Sequence, residues 1–246
     1  MRWLAAMLVT LVTFSGPSFA VSCEEISHAG TRYTVCAVDP RKHKLALFLR
    51  DADGEIYGQF TAIDTALAKD NLKLSFAMNA GMYHEDRSPV GLYVENGKEE
   101  MRVVTNAGPG NFGLLPNGVL CLSNERAEVL ETLKYVADAP DCTHATQSGP
   151  MLVIDGKLHP RFLVDGTSKY IRNGVGTSSD GTRAVFAISE EPVNFYDFGT
   201  LFRDVLGTPN ALYLDGNISR LYAPELGRRD FGFALGPIVG VVEKLP

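Results

Sequence analysis

Apolar and polar residues alternate along much of this chain with the two-residue period of a half-buried strand. Arg32 to Val38 and Lys44 to Leu49 place apolar side chains at every second position, so the chain is predicted to open as β structure. Thr61 to Lys69 changes period: Ile63, Ala66 and Leu67 share one helical face, and a short helix is predicted there, followed by a buried strand over Leu72 to Met78. Asn-Gly or Asp-Gly steps between β-prone runs mark hairpins at Glu95-Asn96-Gly97-Lys98, Pro116-Asn117-Gly118 and Ile154-Asp155-Gly156-Lys157. A longer hairpin is expected where Ser179-Asp180-Gly181 joins the run ending at Thr177 to the run starting at Arg183. The clearest helix starts at the cap candidate Asn194, carries Phe195, Phe198, Leu201, Phe202 and Val205 on one face, and stops near Leu206 at Gly207. That stripe reads as core packing. Composition favours a second helix over about Asn124 to Ala137. Many strands and few helices in mixed order predict an α+β fold: a single domain, residues 21–246, around a twisted mixed or antiparallel sheet with a few packed helices.

The first twenty residues do not fit that domain. Arg2, an apolar run from Leu4 to Phe14, and Ser18-Phe19-Ala20 have the layout of a secretory signal cut after Ala20. About a dozen apolar residues fall short of the roughly 20 needed to span a bilayer, so stable membrane insertion is not expected after cleavage. Loss of Arg2, the one charged residue there, takes the net charge from −6 to −7. An acidic surface is a poor partner for nucleic acid or anionic lipid. Cys23, Cys36, Cys121 and Cys142 all follow the cut, and an even count in an exported chain reads as disulfides. The pairs Cys23–Cys36 and Cys121–Cys142 are favoured because each closes a short loop, although spacing alone leaves the other pairings open. No C-x2-C spacing points to zinc, and a periplasmic or secreted location is expected.

Three segments depart from plain core or turn patterns, each after a strand-like run. In Asn79-Ala80-Gly81-Met82-Tyr83 the Asn amide offers donors and an acceptor, although Asn beside Gly can equally serve a turn. In Gln147-Ser148-Gly149-Pro150, neutral hydrogen-bonding groups and a glycine lead into a strand; they suit sugar hydroxyls or phosphate oxygens, and an ordinary turn accounts for them as well. The third pairs Arg172-Asn173-Gly174 with Asp215-Gly216-Asn217-Ile218-Ser219. Arg172 has the planar fork that matches a phosphate, and Asp215 follows the apolar run Ala211 to Leu214, so its carboxylate emerges at a strand end as a candidate acid, base, nucleophile or metal ligand. A salt bridge and an Asp-Gly turn are the plainer readings of these two.

In this order and spacing, the segments resemble the phosphodiester glycosidase family. Its Asn-Gly-Gly element resembles Asn79-Ala80-Gly81, its following Pro-Gly element resembles Ser88 to Leu92, and Gln147 to Pro150, Arg172 to Gly176 and Leu214 to Ser219 match its remaining elements. Ala80 stands where the family has a glycine, as do Asn217 and Ile218, which bears on the sugar more than on the reaction class. The resemblance implies an exported hydrolase that cleaves the glycosidic bond of a sugar-1-phosphodiester of N-acetylglucosamine type, in an envelope glycan or glycolipid. It places Asp215 among the catalytic residues and Asn79, Gly81, Tyr83, Gln147, Ser148, Gly149, Arg172, Asn173, Gly216 and Ser219 around the substrate. Glycoside hydrolysis commonly uses two carboxylates. Glu190, after Ser189 at the end of an apolar run, is the second candidate ahead of Glu85, Asp86 and Asp180, while His84 and His144 lie near two of the segments. No cofactor is expected; a divalent cation on Asp215 is conceivable, but no calcium-loop pattern accompanies it. Two other functions fit the same residues: a phosphodiesterase cutting the P–O bond, and a periplasmic glycan-binding protein without turnover. Oligomeric state is not legible.

Overall fold

The computed structural model describes residues 21–215 and 218–245; the signal segment with its cut, and Gly216 of the expected site, lie outside the described residues. Three sheets form the domain, and every strand pairing among the described residues is antiparallel. The first runs, in spatial order, Ser22–His28, Thr31–Val38, Ala184–Ser189, Asn173–Thr177, Asn210–Tyr213, Met151–Ile154 and Lys157–Leu158. The second runs Arg228–Arg229, Leu221–Ala223, Leu72–Asn79, Ile238–Lys244 and Lys44–Phe48, and the third Lys98–Met101, Tyr93–Glu95, His144–Ser148, Gly118–Ser123 and Arg126–Glu131.

Strand alternation explains how the sheets share a core. Cys36, Phe186, Ile188, Val175 and Leu212 of the first sheet meet Phe76 and Val239 of the second and Leu120 and Val129 of the third in one buried cluster. The intervening residues Tyr33, Val35, Val185, Ala187 and Tyr213 face the other way, onto Phe198 and Phe202 of the predicted amphipathic helix. Both faces of that sheet are therefore covered. The helix is capped by Asn194, whose side chain accepts from Asp197 N at 2.8 Å; its α-helical turns, Phe195–Thr200, continue as a π-helical turn, Leu201–Val205, before Gly207 at φ 62°. The short helix Phe60–Ala68 covers the second sheet through Phe60 and Ile63. Both expected disulfides are present. Cys23 and Cys36 are direct cross-strand partners, Cα–Cα 4.0 Å, and Cys121–Cys142 ties a strand of the third sheet to the segment entering its neighbour.

Two expectations fail. Residues 124–137 are not one helix: Arg126–Glu131 is a strand paired with Gly118–Ser123, and the helix is only Thr132–Asp138. Ala127 and Val129 are buried between more exposed Arg126 and Glu128, a two-residue period that outweighs the helix-forming composition. Pro116-Asn117-Gly118 is likewise no hairpin turn. Asn117 is fully buried, donating to Phe112 O at 3.1 Å and accepting from Thr132 Oγ1 at 2.7 Å, and so anchors the start of a strand instead. The hairpins at Asn96-Gly97, Asp155-Gly156 and Asp180-Gly181 form as expected, with positive φ at Asn96, Gly97, Asp155 and Gly156 as two-residue turns require.

Candidate functional site

Antiparallel pairing carries the ends of Leu72–Asn79, Asn210–Tyr213 and Ala184–Ser189, and the starts of Asn173–Thr177 and Leu221–Ala223, to neighbouring positions. Asn79 and Asn173, distant in sequence, meet there. Asn79 Nδ2 donates to Asn173 Oδ1 at 3.2 Å, Asn173 Nδ2 donates to Asn79 O at 3.0 Å, and both residues are fully buried. Ser219 joins the knot, its hydroxyl bonding Asn173 Oδ1 at 3.1 Å and Ile171 O at 3.0 Å, and Asn79 Oδ1 accepts from Arg220 N at 2.8 Å. A pair of amides thus ties the first sheet to the second. Asp215 hangs from the same seam: its backbone N–H donates to Ala80 O at 3.0 Å, and Leu214 N donates to Asn173 O at 3.1 Å.

The Asp215 side chain, 8% exposed, faces Tyr83. Burial first, then the Asp215 carboxylate, push the Tyr83 hydroxyl well above the usual phenol range, so it stays protonated beside the carboxylate. Gly81 lets that loop lie flat on the third sheet, because a Cβ there would stand 2.2 Å from Thr146 Oγ1 and 2.5 Å from Gln147 O. Tyr213 is raised to about 12, again chiefly by burial, with Arg172 lowering it and Asp215 raising it. A cluster of interacting groups results: Arg172, Tyr213, Asp215, Tyr83, Arg220 and Arg87, whose guanidinium lies 5.5 Å from the centre of the Tyr83 ring.

Two more of the expected binding residues are internal. Arg172, 0% exposed, is stacked 3.6 Å over the Phe195 ring, and its Nε and Nη2 donate to Val193 O and Ser168 O, each at 2.9 Å. That edge of the guanidinium fork is therefore taken by backbone; burial lowers the group's pKa, and its work is to brace the helix start against the sheet. Gln147 has both ends of its amide engaged: Oε1 accepts from Leu92 N and Val104 N, while Nε2 donates to Val104 O and Thr132 Oγ1. Its capacity is filled by protein, so it pins strands together and does not offer itself to a ligand. Gly149 packs closely, a Cβ there standing 2.7 Å from Asn117 Cβ, while the Ser148 hydroxyl is buried with no hydrogen-bond partner.

Glu190 is also held elsewhere. Its carboxylate accepts from Thr34 Oγ1 at 2.7 Å and forms an ion pair with Arg228, which also binds Asp230. His144 is buried on its strand, accepting weakly from Leu47 N and Asn96 N. Among the described residues no group of three His, Cys, Asp or Glu side chains is placed to hold a metal ion.

Sequence reading missed Arg220. It follows Ser219 directly and is flanked by the apolar residues Ile218 and Leu221; a cation in that context, next to Asp215 in the same segment, was the available signal. It is 4% exposed.

Fold and seam define an antiparallel α+β domain whose polar cluster forms where two sheets join. The chain belongs to the phosphodiester glycosidase family: the family model so described matches residues 73–231, which include Asn79, Asp215 and Arg220. It is 34% identical over 208 residues to the uncharacterized protein YigE of Escherichia coli K12, covering 84% of this chain and 81% of that one. Among solved structures it resembles the catalytic domain of zebrafish N-acetylglucosamine-1-phosphodiester alpha-N-acetylglucosaminidase, auto-inhibited by its pro-peptide, with TM-score 0.61, 14% identity and coverage of 94% of this chain and 85% of that one. It also resembles a hypothetical protein from Synechocystis, with TM-score 0.59, 12% identity and coverage of 90% and 61%. At those identities the two structures speak for the fold.

Proposed function

We propose that this protein is an exported glycosidase that hydrolyses the C–O bond between a sugar and a phosphodiester, as in an N-acetylglucosamine-1-phosphodiester of an envelope glycan or glycolipid. The observation that carries the reading is the enclosed Asp215 carboxylate, placed against Tyr83 at the seam of two sheets inside the family-matched region. Water supplies the oxygen that ends on the anomeric carbon, and the phosphomonoester leaves with the electrons of the broken bond. A phosphate leaves readily without a strong acid, so one well-placed carboxylate, as nucleophile, base or stabiliser of the developing positive ring, covers the main requirement. Two disulfides support an extracytoplasmic location.

Purified protein is incubated with a synthetic N-acetylglucosamine-1-phosphodiester and both products are measured. Free sugar with a phosphomonoester is expected, and Asp215→Asn should cost at least about 10³-fold in kcat, the scale of losing a reacting carboxylate. Sugar phosphate as product would make the protein a phosphodiesterase. Binding without any product would make it a glycan-binding protein.

A further inference from the structure

Arg220 has a buried guanidinium that the protein leaves half satisfied. Nη1 donates to Gln59 Oε1 at 3.0 Å, but Nε and Nη2, both buried, have no hydrogen-bond partner. These two donors lie on one edge of the planar group. Burial lowers the Arg220 pKa, and the nearby Tyr83 and Asp230 offset that only in part. An arginine stays charged regardless, so an enclosed cation with a bare edge is a large cost unless something anionic meets it.

The surroundings fix that edge in place without giving it an acceptor. Gln59 holds Nη1 with its oxygen and donates from Nε2 to Gly232 O at 2.8 Å, which fixes the guanidinium and the following loop together. A Cβ on Gly232, at φ 151°, would meet only Arg220 Cζ, at 3.9 Å, so the wall there is a glycine with room beside it. Arg228, by contrast, is fully committed to Glu190 and Asp230, and Arg172 has its corresponding edge on backbone.

We infer that Arg220 is the residue that anchors the phosphoryl group, its Nε–Nη2 edge taking the two non-bridging oxygens of a phosphodiester. The inference rests on the function proposed above and names the group that selects its substrate class. A phosphodiester has two non-bridging oxygens and one negative charge, the count that one guanidinium edge satisfies in two parallel bonds. Tyr83 acts electrostatically on Arg220 and is acted on by Asp215, so the anchor and the carboxylate belong to one cluster.

The test measures equilibrium binding of the methyl phosphodiester of N-acetylglucosamine-1-phosphate, and of N-acetylglucosamine alone, to protein with Arg220 intact, Arg220→Gln or Arg220→Lys, each in an Asp215→Asn background that slows turnover, while sugar release is assayed with Asp215 intact. Arg220→Gln should weaken diester binding by about 10–100-fold, the scale of hydrogen bonds to a charged group, and leave N-acetylglucosamine binding unchanged. Arg220→Lys, a charge without the fork, should fall between. Equal losses for both ligands, or none for either, would overturn the assignment. Should Arg220→Gln not fold, the ¹⁵Nε resonance of Arg220 in the Asp215→Asn protein decides: it should move with the diester and not with the free sugar, and a still resonance refutes the anchor. Diester binding through Arg220 without sugar release would sink the glycosidase reading alone; turnover that is indifferent to Arg220→Gln would sink the anchor alone.

Discussion

Truncating Asn173 to alanine tests whether the amide knot holds the site together. The change removes the acceptor of Asn79 Nδ2 and of the Ser219 hydroxyl, and the donor to Asn79 O. Ser219 keeps Ile171 O, so the main loss falls on Asn79, which is fully buried and cannot turn to water. An orphaned buried polar group costs about 1–3 kcal/mol, and two such groups on Asn79 put the destabilisation at about 2–6 kcal/mol, a large share of the roughly 5–15 kcal/mol by which domains are stable. Urea unfolding followed by far-ultraviolet circular dichroism, with disulfides intact, measures it; the only tryptophan, Trp3, precedes the expected cut and offers no fluorescence probe in the mature chain. Because the two amides satisfy each other, the double variant Asn79→Ala/Asn173→Ala should lose about 1–3 kcal/mol less than the sum of the singles. Additive losses, or a cost for Asn173→Ala below about 0.5 kcal/mol, would show that the knot is incidental.

Gly81→Ala should destabilise by about 1–3 kcal/mol and lower kcat, since the added methyl meets the fixed Gln147 carbonyl and must lift Tyr83 away from Asp215; a crystal structure of the variant with that loop unmoved would contradict this. Burial holds His144 down to about 4, against about 6.5 in an unfolded chain, so its neutral form favours folding: the stability is complete above about pH 6.5 and is lost as pH falls through the folded value, reaching about 3 kcal/mol. His144→Gln should flatten that part of the acid limb, and an unchanged difference in urea midpoint between pH 7 and pH 4.5 would refute the assignment. Glu190→Gln should keep kcat within about threefold and cost on the order of 1 kcal/mol, because its partly exposed carboxylate serves Arg228 and Thr34; a hundredfold loss of kcat in folded protein would restore it as the second carboxylate.

Much of the architecture was written in local pattern. Period-two runs located strands such as Thr31–Val38 and Lys44–Phe48, and Asn194 with its aromatic stripe located the helix on the first sheet. Local reading failed where two signals competed, as in Arg126–Glu131, whose helix-forming residues conceal an alternation visible only once Ala127 and Val129 have a core to face. At the site, residue type announced polar chemistry but not direction. Asn79, Asn173, Asp215 and Ser219 do meet, because antiparallel pairing carries their strand ends together. Arg172 and Gln147 carry equally suggestive side chains, yet those turn inward, and nothing in the local sequence tells a guanidinium stacked on Phe195 from one offered to a ligand. Arg220 went unread for the converse reason: its bare edge is a property of what surrounds it in space.

The electrostatics of the seam bear on why a cation has to be there at all. A site that brings a carboxylate to the anomeric carbon of a sugar phosphodiester brings it close to the phosphoryl charge, and like charges about 5 Å apart at an effective dielectric constant of about 20 repel by about 3 kcal/mol. Unrelieved, that is roughly a hundredfold penalty on binding before any chemistry begins. Tyr83 cannot cancel it, since its hydroxyl is neutral, and Arg172 has given its Nε–Nη2 edge to backbone carbonyls. Arg220 lies near Tyr83, as Arg87 does, but it is the enclosed one, with two donors that no protein acceptor meets; a phosphoryl group bound there sets a cation against its charge and offsets the repulsion from Asp215.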